Sequence, residues 1–323
     1  MAGKRSNIVY KRCGSFPPQG HGRRMQKALV LGSTSFFGRH FLKRARRQLE
    51  ITELNSQSCD LLTDKIYEFN KIKYDYIFYF SVKTEAGGYC QEHPGEQYLI
   101  NQSMNARVLN YWAKIQPQAK FITFGSSCSY SDDILKSEDN YLLGPCESGY
   151  EVYGMIKRML LIGLRALASE YDMNYTFYVP SCLYGPDYDK GDKHFIYDIT
   201  RKICDAKYHN TEPVILWGNG HQKRELIFVE DAVDVVLESL TCKNNEIINL
   251  STGKDNSIRE YAKTICDIIG YDFKKIQFDV TKFVGAREKK LIVDKIKDFP
   301  FTYPPKGLKI LSKFYIDNYM DEK

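Results

Sequence analysis

Short apolar runs alternate with segments of helical length along most of this 323-residue chain, and this alternation limits its fold more than any other feature. Four runs have the length and composition of buried strands, at residues 27–31, 76–80, 120–124 and 175–179. Segments of helical length separate or flank these runs, at residues 37–49, 97–115 and 150–171. Strands separated by helices predict β-α-β units and therefore a parallel sheet covered by helices.

The alternation becomes less regular after Tyr184. The elements predicted beyond it are a strand at 213–217 and helices at 231–240 and 257–270. The length of the chain suggests about two lobes. We expect a main domain over residues 25–184 and a smaller lobe over residues 185–323, with some segments of the lobe returning to the main sheet.

The basic residues are unevenly distributed. Six of the 46 Lys and Arg residues lie in residues 1–24, which contain no acidic residue, so 40 basic groups face 40 acidic groups in the remainder. This balance argues against nucleic-acid binding, and no apolar run approaches the ~20 residues of a membrane helix. We interpret residues 1–24 as a disordered basic extension or an added tag, and the remainder as a soluble protein.

The nine cysteines contain no C-x-x-C pair. An odd number of cysteines in a chain of this length favours free thiols over a disulfide framework or a zinc site. We therefore expect a cytoplasmic protein without a metal site.

The first predicted strand leads into Gly32-Ser-Thr-Ser-Phe-Phe-Gly38 and then into a helix. A glycine at the end of a strand permits a tight turn, and a glycine at the start of a helix permits close packing on the sheet. The helix N-terminus then presents unpaired N–H groups and a positive dipole end to a pyrophosphate. Together with the motifs downstream, this loop predicts that the chain binds a dinucleotide.

The choice between NAD and NADP is less clear from the sequence. A carboxylate near the second strand binds the ribose hydroxyls of NAD, whereas an arginine favours the extra phosphate of NADP. Residues 50–55 contain no clear signature of either kind. Several arginines on or near the first helix are candidates for a phosphate contact, or equally for a solvated basic face: Arg39, Arg44, Arg46 and Arg47.

Tyr153 and Lys157 are four residues apart in a predicted helix, which places both side chains on one face. A nearby ammonium favours the phenolate, so we expect Lys157 to lower the pKa of Tyr153 from about 10. Ser126 follows the strand at 120–124, at the sheet edge where the ligands of parallel sheets bind. The three side chains predict proton exchange with a substrate oxygen beside a dinucleotide.

These motifs resemble those of the extended short-chain dehydrogenases and reductases that act on nucleotide sugars, and among them the GDP-L-fucose synthase group. The resemblance runs from about Lys27 to Asp317, and the segment 217–231, WGNGHQKRELIFVED, is among its most specific parts. It implies an α/β fold, a Rossmann-type doubly wound parallel sheet with a smaller C-terminal α/β substrate lobe. It also implies NAD(P)H-dependent reduction of the C4 ketone of a GDP-4-keto-6-deoxy sugar, hexose or heptose, with epimerisation at C3 and C5.

The resemblance also assigns roles to individual residues. The reductase residues it implies are Ser126, Tyr153 and Lys157, and the pair that moves protons at C3 and C5 is Cys128 and His194. The substrate contacts it implies are Ser127, Trp217, Arg224 and Lys290. The expected cofactor contacts are Gly32, Thr34, Ser35, Phe36, Phe37, Gly38, Phe80, Ser81, Lys83, Tyr153, Lys157, Pro180 and Leu183.

Several positions depart from the family pattern. Ser35 replaces the middle glycine of the G-x-x-G-x-x-G loop. Cys182 and Arg107 each stand where the family usually has an asparagine. The arginine that the family links to the NADP phosphate has no clear counterpart. These departures indicate a divergent member, with a different sugar or with one activity lost.

Three alternatives stay open: a C4-reductase without epimerase activity, a nucleotide-sugar 4-epimerase that keeps NAD bound, and a non-catalytic protein on the same fold. The resemblance favours NADP(H) over NAD(H) and a GDP-linked nucleotide sugar as substrate. It also implies a homodimer formed through the helices at 97–115 and 150–170. Neither a nucleic acid nor a membrane is expected as a partner.

Overall fold

The computed structural model describes residues 24–85, 88–282 and 287–320, so the predicted extension lies outside it except for Arg24. The strands in these ranges are β1 (Gln26–Leu31), β2 (Leu49–Leu54), β3 (Tyr76–Tyr79), β4 (Lys120–Phe124), β5 (Tyr175–Pro180), β6 (Cys182–Tyr184), β7 (Val214–Trp217), β8 (Lys223–Phe228), β9 (Glu246–Leu250), β10 (Asp255–Ser257), β11 (Ile276–Asp279) and β12 (Glu288–Lys289). The α-helices are α1 (Phe36–Ala45), α2 (Tyr89–Glu92), α3 (Pro94–Ile115), α4 (Glu151–Tyr171), α5 (Phe195–His209), α6 (Val229–Glu238), α7 (Ile258–Ile269) and α8 (Pro304–Tyr319).

Six strands form the main sheet in the order β2-β1-β3-β4-β5-β9, and all its neighbouring pairs are parallel. Side chains alternate between two cores along each strand, so Ala28 and Val30 of β1 enter one core and Leu29 and Leu31 the other. Burial on both faces explains why these strands are almost continuously apolar. The predicted Rossmann-type, doubly wound parallel sheet is therefore confirmed.

Helices cover both faces of the main sheet. Trp112 of α3 and Leu161 of α4 are fully buried on one face, and the Trp112 ring nitrogen donates to the carbonyl oxygen of Ala119 at 2.8 Å. On the other face α1 packs against α6, with Phe41 and Val233 fully buried. Burying one such side chain stabilises the fold by about 1.5–3 kcal/mol, so these two cores stabilise the main sheet from both faces.

The chain beyond β6 builds a third core. Ile203 of α5, Ile265 of α7 and Leu311 of α8 are fully buried in it, against strands β7 and β8. β8 pairs with β6, β10 and β12, while β7 pairs with β11. β9 instead returns to the main sheet and pairs with β5. Since β6 follows directly after β5, the carboxyl end of the main sheet leads straight into this lobe.

Most predicted elements match the observed ones, and the main difference lies at β2. The helix predicted over 150–171 is α4, and the one predicted over 97–115 is α3. The helix predicted over 37–49 is too long, because α1 ends at Ala45 and Leu49 already pairs with Gln26 as the first residue of β2. Leu49 is 2% exposed there, so burial in the sheet outweighs the local helical pattern.

Seven cysteines in the described ranges are free thiols, in agreement with the sequence. Among the residues that the structure describes, no helix has both the length and the apolar character needed to cross a membrane.

Candidate active site

A tight turn at Gly32 joins β1 to α1. Gly32 has a φ of +88°, and a Cβ at this position would lie 2.7 Å from the backbone nitrogen of Ser81. Gly38 lies in the first turn of α1, where a Cβ would lie 2.3 Å from the carbonyl oxygen of Gly32. Because neither position has room for a side chain, the loop forms a close backbone cradle that fits the pyrophosphate of a dinucleotide.

Ser35 caps α1 at the position where the family pattern has a glycine. Its hydroxyl donates to the carbonyl oxygen of Gly32 at 2.8 Å and accepts from the N–H of Gly38 at 3.1 Å. The serine therefore satisfies one of the unpaired amides that begin the helix. Thr34, beside it, is exposed. Other amides of the first turn are left to donate to a phosphate, so Ser35 is compatible with dinucleotide binding.

The three phenylalanines expected at the cofactor differ in their surroundings. Phe37 and Phe80 are 5% and 7% exposed, and their ring centroids lie 4.9 Å apart in the core. Phe36 is partly buried, with its ring centroid 6.4 Å from that of Tyr197 on α5. The rings of Phe37 and Phe80 therefore support the loop from inside the core, which leaves only their backbone groups for contact with a cofactor.

The end of β2 lies against the same loop. The carbonyl oxygen of Leu54 accepts hydrogen bonds from the N–H groups of Gly32 and Ser33, at 3.0 and 3.1 Å. Residues 55–58, which follow, contain no carboxylate. The residues directly after β2 therefore offer no carboxylate to the ribose of NAD.

The arginines near the first helix differ in their partners. Arg39 donates to the carbonyl oxygens of Thr34 and Asp187, both at 2.6 Å, so its guanidinium lies at the phosphate loop. Arg39 also pairs with Asp189 at 3.3 Å, whereas the carboxylate partners of Arg44 and Arg46 lie on α6 and β2, away from this loop. Arg39 is thus the better placed of these three for a phosphate contact.

Four further residues expected at the cofactor lie at the ends of β3 and β5 and in β6, and all are partly buried: Ser81, Lys83, Pro180 and Leu183. The side-chain amide of Asn101 on α3 accepts from the N–H of Lys83 and donates to its carbonyl oxygen, both at 2.9 Å. This pair of bonds fixes the loop after β3. The Nζ of Lys83 is paired with Glu85 at 3.2 Å.

Ser126, Tyr153 and Lys157 meet at the carboxyl end of β4. Ser126 caps a short 3-10 helix that begins at Ser127, and its side chain lies close enough to Tyr153 to lower the pKa of the phenol. Lys157 is 7% exposed and donates from Nζ to the carbonyl oxygen of Phe124 at 3.0 Å. Its Nζ lies 5.9 Å from the centroid of the Tyr153 ring. The structure thus brings the three expected reductase residues together.

Burial governs protonation in this group. It raises the pKa of Tyr153 and lowers the pKa of Lys157 to about 8. The expected lowering of the Tyr153 pKa by Lys157 is therefore wrong for the protein alone, because loss of water around the phenol dominates. A phenol that keeps its proton is suited to donate it, which is the direction that reduction of a ketone requires.

Cys128, two residues beyond Ser126, lies in a charged cluster that the sequence did not reveal. Its Sγ is 3.8 Å from the Nζ of Lys289 on β12, and Lys289 forms an ion pair with Glu147. Burial raises the pKa of Cys128 to about 11, although Lys289 opposes this. The sequence pointed to Lys290, which is exposed; Lys289 is the lysine beside the cysteine.

Arg224 borders this cluster. It is the register partner of Lys289 in the pairing of β8 with β12. Burial lowers its pKa, and the nearby Glu147, Cys182 and Cys128 raise it. Cys182, which stands where the family usually has an asparagine, is therefore another neighbour of the cluster.

Trp217 and His194 lie in more open surroundings. Trp217 ends β7 and is 55% exposed. His194 is the N-cap residue of α5, with its Nδ1 2.6 Å from a carboxylate oxygen of Asp192. In the part of the chain that the structure describes, no hydrogen bond joins His194 to Cys128. The expected pair of proton-transfer residues is thus not brought into direct contact.

A glycine cradle for a pyrophosphate and a Ser-Tyr-Lys group at the carboxyl edge of a parallel sheet define a dinucleotide-dependent enzyme of the short-chain dehydrogenase type. The chain belongs to the NAD dependent epimerase/dehydratase family, which matches residues 28–251. The expected family, fold and enzyme class are confirmed.

Relatives and solved structures with GDP-sugar names are similar to most of the chain. GDP-L-colitose synthase of Yersinia pseudotuberculosis is 28% identical over 275 residues, which cover 81% of this chain and 88% of that protein. A GDP-L-fucose synthetase from Naegleria fowleri bound to NADP has a TM-score of 0.80 at 22% identity, over 93% of this chain and 98% of that one. A GDP-D-glycero-L-gluco-heptose synthase from Campylobacter jejuni, in the presence of NADPH, has a TM-score of 0.79 at 21% identity, over 92% and 100%.

Proposed function

We propose that this protein uses NADPH to reduce the C4 ketone of a GDP-linked 4-keto-6-deoxy sugar, a hexose or a heptose, and that it also epimerises C3 and C5. The observation that carries the proposal is the position of Cys128, two residues from Ser126 at the same sheet edge. One sugar ring held there can meet both the reductase residues and a second proton-transfer group. The GDP-sugar names of the relatives support the substrate class.

The reduction needs three groups of the chain. NADPH, bound at the loop between β1 and α1, supplies a hydride to a carbonyl carbon. Tyr153 donates its phenolic proton to O4, and Ser126 hydrogen bonds to the same oxygen. Lys157 in its ammonium form stabilises the phenolate that remains.

The epimerisation uses the acidity that a 4-keto group gives to the hydrogens on C3 and C5. The Cys128 thiolate removes one of these protons: the C–H bond breaks, an S–H bond forms, and the electron pair enters the enolate of the ketone. An acid on the opposite face then returns a proton to the carbon, which inverts the centre. His194 is our candidate for that acid, because histidine exchanges protons near neutral pH.

We assign binding of the nucleotide half of the substrate to residues of the part of the chain that follows β6. Arg224 is partly buried beside the Cys128 cluster, where its guanidinium can form charge-assisted hydrogen bonds with a diphosphate. Trp217 presents an exposed indole ring that can stack on a base. The expected contact from Lys290 is not part of this proposal, because Lys289 occupies the site.

NADPH is preferred to NADH in this proposal. Arg39 lies at the phosphate loop, and residues 55–58 contain no carboxylate to repel a 2′-phosphate. NADP bound to the similar Naegleria structure is consistent with this choice.

A second candidate is a C4-reductase without epimerase activity. Two observations favour it: burial raises the pKa of Cys128 to about 11, and His194 is hydrogen bonded to Asp192. A sulfur that keeps its proton cannot accept one from carbon. This candidate needs Ser126, Tyr153 and Lys157 alone.

We also propose that the protein is a homodimer formed through α3 and α4. Each helix leaves large apolar side chains exposed, Tyr98 and Leu99 on α3 and Met155, Met159 and Ile162 on α4, at 43–66% exposure. The two helices pack side by side, so these residues extend one apolar surface. A second copy of the same pair would complete a four-helix bundle.

The decisive experiment is incubation with GDP-4-keto-6-deoxy-mannose and NADPH in deuterated water. Loss of NADPH absorbance, with deuterium found at C3 and C5 by NMR, supports the epimerase-reductase. Loss of NADPH without deuterium supports the plain C4-reductase. If neither this hexose nor the corresponding heptose consumes NADPH, the proposal is wrong.

A further inference from the structure

Lys289, Glu147 and Cys128 form a chain of contacts from three separate parts of the sequence. The lysine Nζ is 3.8 Å from the cysteine Sγ and forms an ion pair with the Glu147 carboxylate. The side chains of Lys289 and Glu147 are only 18% and 5% exposed. A largely buried ion pair is weak evidence for stability, because removing both charges from water is costly. Its position beside a thiol therefore points to a role in chemistry.

The lysine is held in place from several sides. β12 pairs with β8, which fixes the backbone of Lys289 opposite Arg224. The Nζ also lies 5.5 Å from the centroid of the Tyr150 ring. The N–H of Glu147 donates to the carbonyl oxygen of Cys128 at 3.1 Å, so the carboxylate that binds the lysine is anchored to the cysteine itself.

The ionisable and polar groups around Cys128 come from several elements. Burial raises the pKa of its thiol most strongly, Lys289 lowers it and Glu147 raises it, while a hydrogen bond from Ser126 lowers it. The other groups that interact with the sulfur are Tyr150, Tyr153, Cys182 and Arg224. Lys289 is the cation in hydrogen-bond contact with the sulfur.

We propose that Lys289 is a positioning residue for Cys128, whose ammonium stabilises the thiolate that accepts a proton from the sugar, and that Glu147 holds this ammonium beside the sulfur. The inference rests on the epimerase part of the proposed function and adds the group that favours the thiolate form of Cys128. An ammonium near a thiol favours the thiolate, which is the reactive form.

The test uses alkylation of Cys128 and needs no substrate. Cys128 is partly exposed, so iodoacetamide can reach it. The rate at Cys128 is measured from pH 7 to 10 by mass spectrometry of its peptide in the full-length protein. We expect Lys289→Met to slow alkylation about tenfold below the thiol pKa, because loss of the neighbouring charge raises that pKa by about one unit.

Three further variants make the result specific. Lys290→Met also removes one positive charge, but from the next residue along the chain, whose side chain is exposed. The alkylation profile of this variant should match that of the wild type. Lys289→Gln keeps a polar side chain and should slow alkylation as Lys289→Met does. Lys289→Arg keeps the charge and should restore most of the rate. Circular dichroism identifies any variant that has not folded.

An unchanged profile in both Lys289→Met and Lys289→Gln overturns the proposal. Equal slowing in Lys290→Met also overturns it, because the effect is then one of net charge. Alkylation is independent of the sugar, so the hypothesis about Lys289 and the hypothesis of epimerase activity can fail separately. A shifted profile without deuterium exchange at C3 and C5 in the wild type leaves the effect of Lys289 on the Cys128 thiol intact and removes the epimerase function.

Discussion

The Nζ of Lys157 lies 5.9 Å from the centre of the Tyr153 ring, one helical turn away along α4. Burial raises the pKa of Tyr153, which suits the phenol to the proton-donor role proposed for it. We predict that Tyr153→Phe lowers kcat for ketone reduction about 10²–10⁴-fold, the usual contribution of a general acid. NADPH affinity, measured by fluorescence titration, should change less than about threefold, since the ring remains.

The matched control for this variant is Tyr171→Phe. Tyr171 is the last residue of the same helix and is 46% exposed. The Tyr171→Phe protein should reduce the keto sugar at the wild-type rate. Full turnover by Tyr153→Phe would remove Tyr153 from the reaction.

Ser35 gives a prediction about stability. Ser35→Ala removes the oxygen that caps α1, and we expect it to lower the free energy of unfolding by about 1 kcal/mol. Ser35→Gly, which restores the family pattern, should cost only a few tenths of a kcal/mol and should still bind NADPH. Urea denaturation of the three proteins measures the difference. Equal stability of the alanine and wild-type proteins would show that the cap contributes nothing.

Glu225 gives a prediction about pH. It is 2% exposed, and burial raises its pKa from 4.5 to about 7. The folded protein therefore binds the carboxyl proton of Glu225 more tightly than the unfolded chain does. This proton contributes to the free energy of unfolding at low pH, and the contribution is lost as pH rises from about 4.5 to about 7. Glu225→Gln cannot titrate. We predict that the stability of the wild type relative to this variant falls by about 3 kcal/mol across that window.

Denaturant unfolding at pH 5 and pH 8 checks this prediction, provided that both proteins unfold in two states. Glu288→Gln is the control, because Glu288 is an exposed carboxylate of β12. Its stability should follow the wild type at both pH values. Parallel behaviour of Glu225→Gln and the wild type would contradict the raised pKa.

The proposed dimer predicts a change of mass. Met159 on α4 is 45% exposed within the apolar surface that extends over α3 and α4. Met159→Glu places a charge in the proposed interface, so we expect sedimentation to show monomers at micromolar concentration. Leu135→Glu is the control, because Leu135 is 64% exposed outside these helices. A wild-type protein that sediments as a monomer would exclude this dimer.

Four strands of the main sheet and the Ser-Tyr-Lys group were predictable because short-range patterns determine them. Apolar runs of four to six residues become parallel strands in a layered fold, and a spacing of four on a helix brings Tyr153 and Lys157 to one face. Ser126 follows from the end of β4. None of these inferences requires knowledge of distant contacts.

Lys289 was not predictable in this way. Side chains on a strand alternate between faces, so a shift of one residue exchanges Lys289 with Lys290. β12 contains only two residues, and its register is set by β8, more than 60 positions earlier in the chain. The raised pKa of Tyr153 was missed for a related reason: it depends on burial in the folded protein and, to a smaller extent, on electrostatic interactions with Cys90, Cys128 and Tyr141, which are distant in sequence.

The return of β9 to the main sheet has a consequence for synthesis of the protein on the ribosome. β5 is buried almost throughout, yet its outer edge is paired only with β9, which begins at Glu246. Until that segment has emerged, the nascent chain exposes an apolar strand edge that can pair with other chains. The main sheet therefore cannot form completely before β9 is synthesised, and a fragment ending near residue 184 should aggregate rather than fold.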